Sequence, residues 1–413
     1  DQGKKKEAKE LERLAKAYEI PMTLAKSKEG KEARETTGKK ELEEIFYATG
    51  DNVIEKIMEI RSIGVNLSNF LPNWKPADDG SVHARYGFTA PTGQKNWKKP
   101  NIVNASKWTK TGQRFRYIIN TKPGHTFIEF DKKSFHVAIM GYQAKSERYI
   151  RFSQLDPHTI FTSYIMPSDW GEPVDLSWSD KDIIARCKEI KKKSKAQLEL
   201  PHGIDIRQQC AKPTVLGNQL GLGPIKLQRQ NKRFIKTIAE AEGYQKTLAE
   251  LFPECEYAKD MWRKLADRQK YLYCKEWGFI QWFYEVYNWQ FVNRLGRWVQ
   301  KNGADSEKVL GFMVQTPAFG MMDYELMLME ERGLLEEHNY LVSIHDSNIM
   351  MAEDGKVDKC LEEVSKVMSA PCPIMVNEVT EEQGLKVGVE ASLGKNWMTQ
   401  DEKNPEGMRE ISL

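Results

Sequence analysis

Two apolar runs, Tyr340 to Ile344 and Asn348 to Met351, flank His345, Asp346 and Ser347. Strand-forming runs broken by a short polar turn make a β-hairpin, so Asp346 stands at the end of two paired strands. A second carboxylate has a similar setting, because His125 to Phe130 reads as a strand that stops at Asp131. Strand ends of one sheet can lie side by side even when their residues are far apart in sequence. Two aspartates joined in this way suit Mg²⁺, which takes oxygen ligands and keeps waters and substrate phosphates in its shell. Two such ions about 4 Å apart stabilise the attacking and leaving oxygens of a phosphoryl transfer. Since a strand-end aspartate is also an ordinary turn residue, the pair gains meaning only beside other elements.

One such element is a helix from Ile206 to Leu216 that runs into Gly217, Gly221 and Gly223. Lys212, Leu216 and Leu220 are spaced four apart and share one face, with Gln208 one turn earlier and Arg207 beside it. A lysine presented from such a face can neutralise a triphosphate. The glycines remove side chains, so a base pair could approach the backbone. Pro213 argues against a fully regular helix at this point.

The rest of the chain sets the frame. With 413 residues, two or three subdomains are expected. No run of eighteen apolar residues is present, and the lysine- and glutamate-rich start is unlike a secretory signal. Six scattered cysteines without metal-type pairing fit free thiols in a reducing, cytoplasmic compartment. The net charge of +3 says little about nucleic acid. Basic clusters at Lys95 to Lys99, Arg114 with Arg116, Lys191 to Lys195 and Arg229 to Arg233 could meet phosphates, although such runs are usually solvated faces.

Periodicity predicts amphipathic helices over 1–20 and over 41–63, the second burying Leu42, Ile45, Ile54, Ile57 and Ile60. Residues 73–104 read as loop with a short strand near His83 to Phe88. A helix is predicted over 135–143 and another from Asp156. Residues 168–205 read as loops and an exposed basic helix. Residues 229–301 read as almost wholly helical, with Trp277, Trp282, Tyr284, Tyr287 and Trp289 expected to pack in a core. A helix over 357–368 and a last strand over 385–389 close an α+β arrangement with a small antiparallel sheet.

At the three chemical segments the chain resembles family A DNA polymerases, the group that includes bacterial DNA polymerase I. "FIEFDKKSFHVAIMGYQAKSERYIRFSQLDPHT" is similar to the family's first motif, whose metal-binding aspartate matches Asp131, with His158 on a histidine that assists at the phosphates. "RQQCAKPTVLGNQLGLG" resembles the fingers helix, placing the family's lysine at Lys212. "LVSIHDSNIMMAE" resembles the third motif, with His345 and the second metal-binding aspartate at Asp346. Fainter likenesses put Asn101 and Asn104 in a Pro-Asn-x-x-Asn segment, Arg116 on a family arginine, and Gln315 on a glutamine that meets the primer–template minor groove. "VGVEASLGKNW" is like the family's closing strand. The resemblance runs from about His83 to Trp397.

It implies a right-hand polymerase fold with a small antiparallel palm sheet, helical fingers and a partial helical thumb. The corresponding division is a partial thumb over 1–70, palm over 71–165, fingers over 166–300 with an insertion near 168–205, and palm again over 301–413. It implies deoxynucleotide addition to a primer 3′ end with two Mg²⁺ held by Asp131 and Asp346, Mn²⁺ serving as a substitute. Deoxynucleoside triphosphates and primer–template DNA are the implied partners. Another chain, or a preceding N-terminal region, is expected to complete the thumb. The departures from the family are specific. His136 stands where a glutamate usually blocks a ribose 2′-hydroxyl, Leu216 and Leu220 replace aromatics that flank the nascent pair, and Gln208 replaces a phosphate-binding arginine that Arg207 could supply. Gln94 replaces a common arginine, and Ser347 the glutamate after His345-Asp346. Together they imply a phage or plasmid enzyme in a bacterial or phage-infected cell.

Two rivals remain. A single-subunit phage-type RNA polymerase shares the palm and a His-Asp-Ser third motif, but it uses a tyrosine at the place of Leu220. A catalytically silent nucleic-acid-binding subunit would have lost its metal ligands, whereas Asp131 and Asp346 are both intact.

Overall fold

In the computed structural model the described residues are 13, 23–24, 35–36, 41–42, 45–46, 51–69, 71–87, 92–105, 107, 110–199, 203–232, 234–292, 297–411 and 413. They fall into two compact units, Asp1–Arg85 with Trp97–Ile102, and Tyr86–Asn96 with Val103–Leu413.

In the first unit, helix α1 (Asn52–Asn69) starts where the Asp51 carboxylate accepts a hydrogen bond from the Val53 N–H at 2.8 Å. A capping aspartate supplies an acceptor for an otherwise orphaned N–H, so the helix begins here and does not run unbroken from residue 41. It also extends six residues past the predicted end. Leu42, Ile45 and Ile54 are buried together and Ile57 packs on them, whereas Ile60 is 67% exposed and does not join the predicted stripe. Two short strands, Thr23–Leu24 and Glu35–Thr36, pair antiparallel. The helix predicted over 1–20 lies outside the described residues except for Arg13.

The second unit is built on five antiparallel strands. Strand β1 (His125–Lys132) leads into helices α2 (Phe135–Gln143), α3 (Glu147–Gln154), α4 (Pro157–Ile165) and α5 (Asp180–Ala196). A π turn (Arg207–Ala211) opens helix α6 (Lys212–Gln219), and α7 (Ile238–Leu251) and α8 (Pro253–Gln269) follow. Next come two hairpins, β2 (Tyr271–Cys274) with β3 (Phe279–Trp282), and β4 (Tyr287–Val292) with β5 (Arg297–Asn302). Helix α9 (Ser306–Glu331) precedes β6 (Tyr340–Ile344) and β7 (Ser347–Glu353), and α10 (Val357–Met368), β8 (Val389–Gly394) and β9 (Arg409–Ile411) complete the unit. The sheet order is β6-β7-β1-β8-β9, so β1 is central. Ile128 and Phe130 of β1, six residues of α2 and much of α9 share one apolar core. Gly141 lets α2 approach α3 closely, because a Cβ there would lie 2.8 Å from the Ile150 backbone nitrogen.

Residues 271–302 correct the sequence reading. Helix α8 ends at Gln269, with Lys270 left-handed (φ 66°), and Gly278 takes the left-handed position (φ 67°) of the first hairpin turn. Tyr287, Trp289 and Phe291 alternate along β4, a β pattern that the density of apolar residues in the neighbouring strands disguised as a helical one. Trp282, Tyr284 and Trp289 are 58%, 72% and 63% exposed; only Trp277 and Tyr287 of that group pack against the core. The closing strand is also displaced. It pairs from Val389, opposite Lys132, to Gly394, opposite Phe127, while Leu385 forms an isolated bridge with Cys372. The ladder to β1, rather than the apolar run, decides where it starts. All six cysteines are free and buried. No helix among the described residues is long and apolar enough to cross a membrane.

Candidate active site

Register places the two acids. Asp131 is paired with Ser347 on one side and Glu390 on the other. Asp346 immediately precedes Ser347, and its carbonyl accepts the Lys132 N–H at 3.1 Å. The β6–β7 turn is tight because His345 adopts a left-handed conformation (φ 56°). Side chains alternate along β1, so Phe130 and Lys132 are buried in the core while Asp131 lies on the other face. The carboxyl of Asp131 is pushed up to about 8, first by burial and then by the nearby Asp346, with Lys107 opposing both. Such a pair holds its negative charge at a cost that a bound divalent cation removes, and its donors are oxygens, the set Mg²⁺ prefers.

Opposite the acids stands a helical wall. Asp156 caps α4 and accepts from the Thr159 N–H at 3.1 Å. Arg207 Nη2 reaches one of its oxygens at 3.0 Å and Lys191 Nζ the other at 2.5 Å, while Arg207 Nε donates to Thr159 Oγ1 at 2.6 Å. Burial opposes ionisation of Asp156, but Arg207 and Lys191 outweigh it and hold the carboxyl at about 2. His158 is buried, and its imidazole is pushed down to about 3 by burial and then by Lys212 and Arg207. It is neutral at pH 7, and its Nδ1 has no hydrogen-bond partner among the described residues. Burial also lowers the Lys212 ammonium, helped by Arg207 and Lys107 and opposed by Asp131 and Asp346.

The π turn settles which residue accompanies Lys212. Five residues along an α-helix point roughly 140° apart. Here the Lys212 N–H bonds to the Arg207 carbonyl, five residues back, so the two are separated by about one turn. Arg207 and Lys212 therefore face the same cavity while Gln208 is exposed to solvent. Pro213, which has no N–H to give, follows directly.

The cavity measures about 470 Å³ and is lined by Asp131, Asp346, His136, His158, Arg207, Lys212 and Leu216, among others. His136 is half-buried, and its Nε2 is buried without a hydrogen-bond partner among the described residues. Burial, then His345, lowers its pKa, while Asp346 opposes the shift. Leu220 borders a neighbouring cavity of about 440 Å³ on the far side of Leu216. The other sequence candidates lie elsewhere. His345 is exposed, with Nδ1 2.8 Å from Gln94 Nε2. Gln315 is half-buried on α9. Arg116 is buried, donating to the Ala105 carbonyl at 2.6 Å and lying 3.8 Å over the Trp397 ring. Asn101 is exposed in the first unit, and Asn104 ends a short turn (Ile102–Asn104).

Lys188, Lys191 and Asp156 also line this cavity, a placement that sequence reasoning did not give them. Lys191 opened a run read as a solvated face; the useful signal was the spacing Ile184, Cys187, Lys188, Lys191. Elsewhere among the described residues, Glu337, His338 and Glu363 bring possible metal-ligand atoms within 4.8 Å of one another. Lys359 already pairs with both glutamates, at 2.5 and 3.8 Å, and supplies the balancing charge.

Two acids at neighbouring strand ends, faced across a cavity by lysine, arginine and neutral histidine, form a site suited to phosphoryl chemistry. No family model matches the chain, and no curated protein matches it. Among solved structures, the chain is similar to the POL domain of Pol1 from M. smegmatis in complex with DNA primer-template and dNTP. The TM-score is 0.64 at 18% identity, over 94% of this chain and 60% of that one. The likeness is one of fold, that of a polymerase domain, and the chain spans less than two thirds of the solved chain.

Proposed function

We propose that this chain is the polymerase module of a divergent family A DNA polymerase, adding deoxynucleotides to a primer 3′ end on a DNA template. The observation that carries the reading is that Asp131 and Asp346, at adjacent strand ends, share one cavity with Lys212 and Arg207. The fold likeness to a polymerase domain and the order of the sequence motifs support it. In this reading the sheet is the palm, α5 to α8 belong to the fingers, and the first unit contributes to a thumb. The departures from the family at His136, Gln208, Leu216 and Leu220 favour a phage or plasmid enzyme.

Asp131 and Asp346 would hold Mg²⁺, which supplies positive charge to the reacting phosphate and primer oxygens when bound. Lys212 and Arg207 bind the triphosphate from the opposite side, where their charge meets that developing on the leaving group. The neutral His158 offers a hydrogen bond without adding charge. Leu216 presents an apolar edge to the base pair, and His136 stands beside the sugar. His345 and Gln315 are assigned to the primer end, with Asn101 and Asn104 as further primer–template contacts, while Arg116, buried between the Ala105 carbonyl and the Trp397 ring, braces its own segment.

Extension of a labelled DNA primer on a DNA template with Mg²⁺ tests the reading, with Asp346→Ala run alongside. Synthesis with deoxynucleotides that disappears in the variant, while duplex binding is retained, is the expected result. Synthesis by the variant equal to that of the parent would remove Asp346 from the chemistry. No synthesis by the parent chain would overturn the assignment.

A further inference from the structure

Helix α5 lies in the segment that exceeds the spacing expected between the first two motifs, and its sequence explains how it docks. Ser179 caps it, accepting from the Asp182 N–H at 3.3 Å. Asp180 and Asp182 occupy the first turn, and Lys193 and Lys195 the last, matching the helix dipole. Ile183, Cys187, Ile190 and Ser194 are buried. Ser194 Oγ donates to Asp205 Oδ1 at 2.6 Å and accepts from the Arg207 N–H at 3.0 Å, which ties the helix end to the π turn.

The adjoining stripe faces the active-site cavity. Ile184, Cys187, Lys188 and Lys191 follow the i, i+3, i+4, i+7 spacing of one helix face and line the cavity that holds Asp131, Asp346 and Lys212. Much of the other charge there is already matched. Lys191 and Arg207 share Asp156, and Lys133 meets Glu390 at 3.6 Å. Lys188 is exposed and forms no ion pair among the described residues. It is thus a cation on the cavity wall with no protein anion to satisfy.

Resting on the polymerase reading, we propose that α5 is an added wall of the nucleotide site and that Lys188 binds the triphosphate of the incoming nucleotide. Lys191, by occupying the second oxygen of Asp156, keeps that acid from cancelling the charge of Arg207. The helix adds a cation to a fingers surface that has Gln208 where an arginine is expected.

The test uses the full chain and two ligands, inorganic tripolyphosphate in Mg²⁺ buffer and a deoxynucleoside triphosphate. Lys188→Gln should weaken both by about tenfold, the value of one charged hydrogen bond, and Lys188→Arg should restore most of the loss. In primer extension the same variant should raise the nucleotide KM more than it lowers kcat. Its thermal midpoint should match that of the parent, since Lys188 is exposed. Unchanged tripolyphosphate affinity in Lys188→Gln, or a parent chain that binds none, would overturn the inference. A parent that extends no primer but loses tripolyphosphate affinity on Lys188→Gln would sink the polymerase reading and leave the phosphate site standing.

Discussion

Lys132 and Glu325 form an ion pair whose side chains are 0% and 3% exposed, one residue beyond Asp131 in the sequence. The Lys132 ammonium also donates to the Met368 carbonyl at the end of α10, and it lies 5.8 Å from the Phe135 ring. Through one side chain, the end of β1 is fastened to α9 and α10. A buried pair of this kind is costly to break because the surviving charge is stranded.

Removing either partner, as in Lys132→Met or Glu325→Met, should therefore destabilise the fold by about 3–5 kcal/mol. The double variant should recover most of that loss, since two apolar side chains of similar volume leave no charge behind. Urea unfolding of the three proteins decides it. A double variant no better than the singles would mean that the pair is held for its geometry rather than for mutual neutralisation.

His158 predicts a pH dependence of stability. Its imidazole is held at about 3 in the fold against an ordinary value of 6.5. The unfolded chain therefore binds the proton more readily, and stability falls as pH drops from 6.5 towards 3. His158→Gln should flatten the stability profile over that window. A profile with unchanged slope would show that the histidine titrates normally and faces water.

If the chain is the polymerase proposed above, His136 predicts a change in sugar choice. It follows Asp131 by five residues and presents at the cavity a buried Nε2, unpartnered among the described residues. His136→Ala should raise ribonucleotide use relative to deoxynucleotide use by about tenfold or more, measured as single-nucleotide incorporation of each. An unchanged ratio would place the sugar elsewhere in the cavity.

The parts of the site legible in the sequence were those set by local pattern. The β6–β7 hairpin, the end of β1 at Asp131 and helix α2 stand where alternation and periodicity placed them. What escaped was decided by contacts distant in sequence. No local signal says that Arg207 rather than Gln208 turns inward, because the π turn that does it depends on a single extra residue in the helix. The wall formed by α5 was hidden for a related reason: a lysine on a helix reads as solvated until the cavity beside it is known. The hairpins over 271–302 failed differently. Aromatic residues there were assigned to a core, yet Trp282 and Trp289 project into solvent on two-stranded ribbons that cannot bury both faces.

The position of β1 between two neighbouring strands has a mechanical meaning. Asp131 is braced laterally by Ser347 and Glu390, whereas Lys188, Lys191, Arg207 and Lys212 sit on helices held mainly by side-chain contacts. The sheet works as a fixed anvil and the helical wall as an adjustable jaw. On the proposed reading, changes in the jaw are free to retune which nucleotides are gripped, while changes in the anvil decide whether the tool strikes at all.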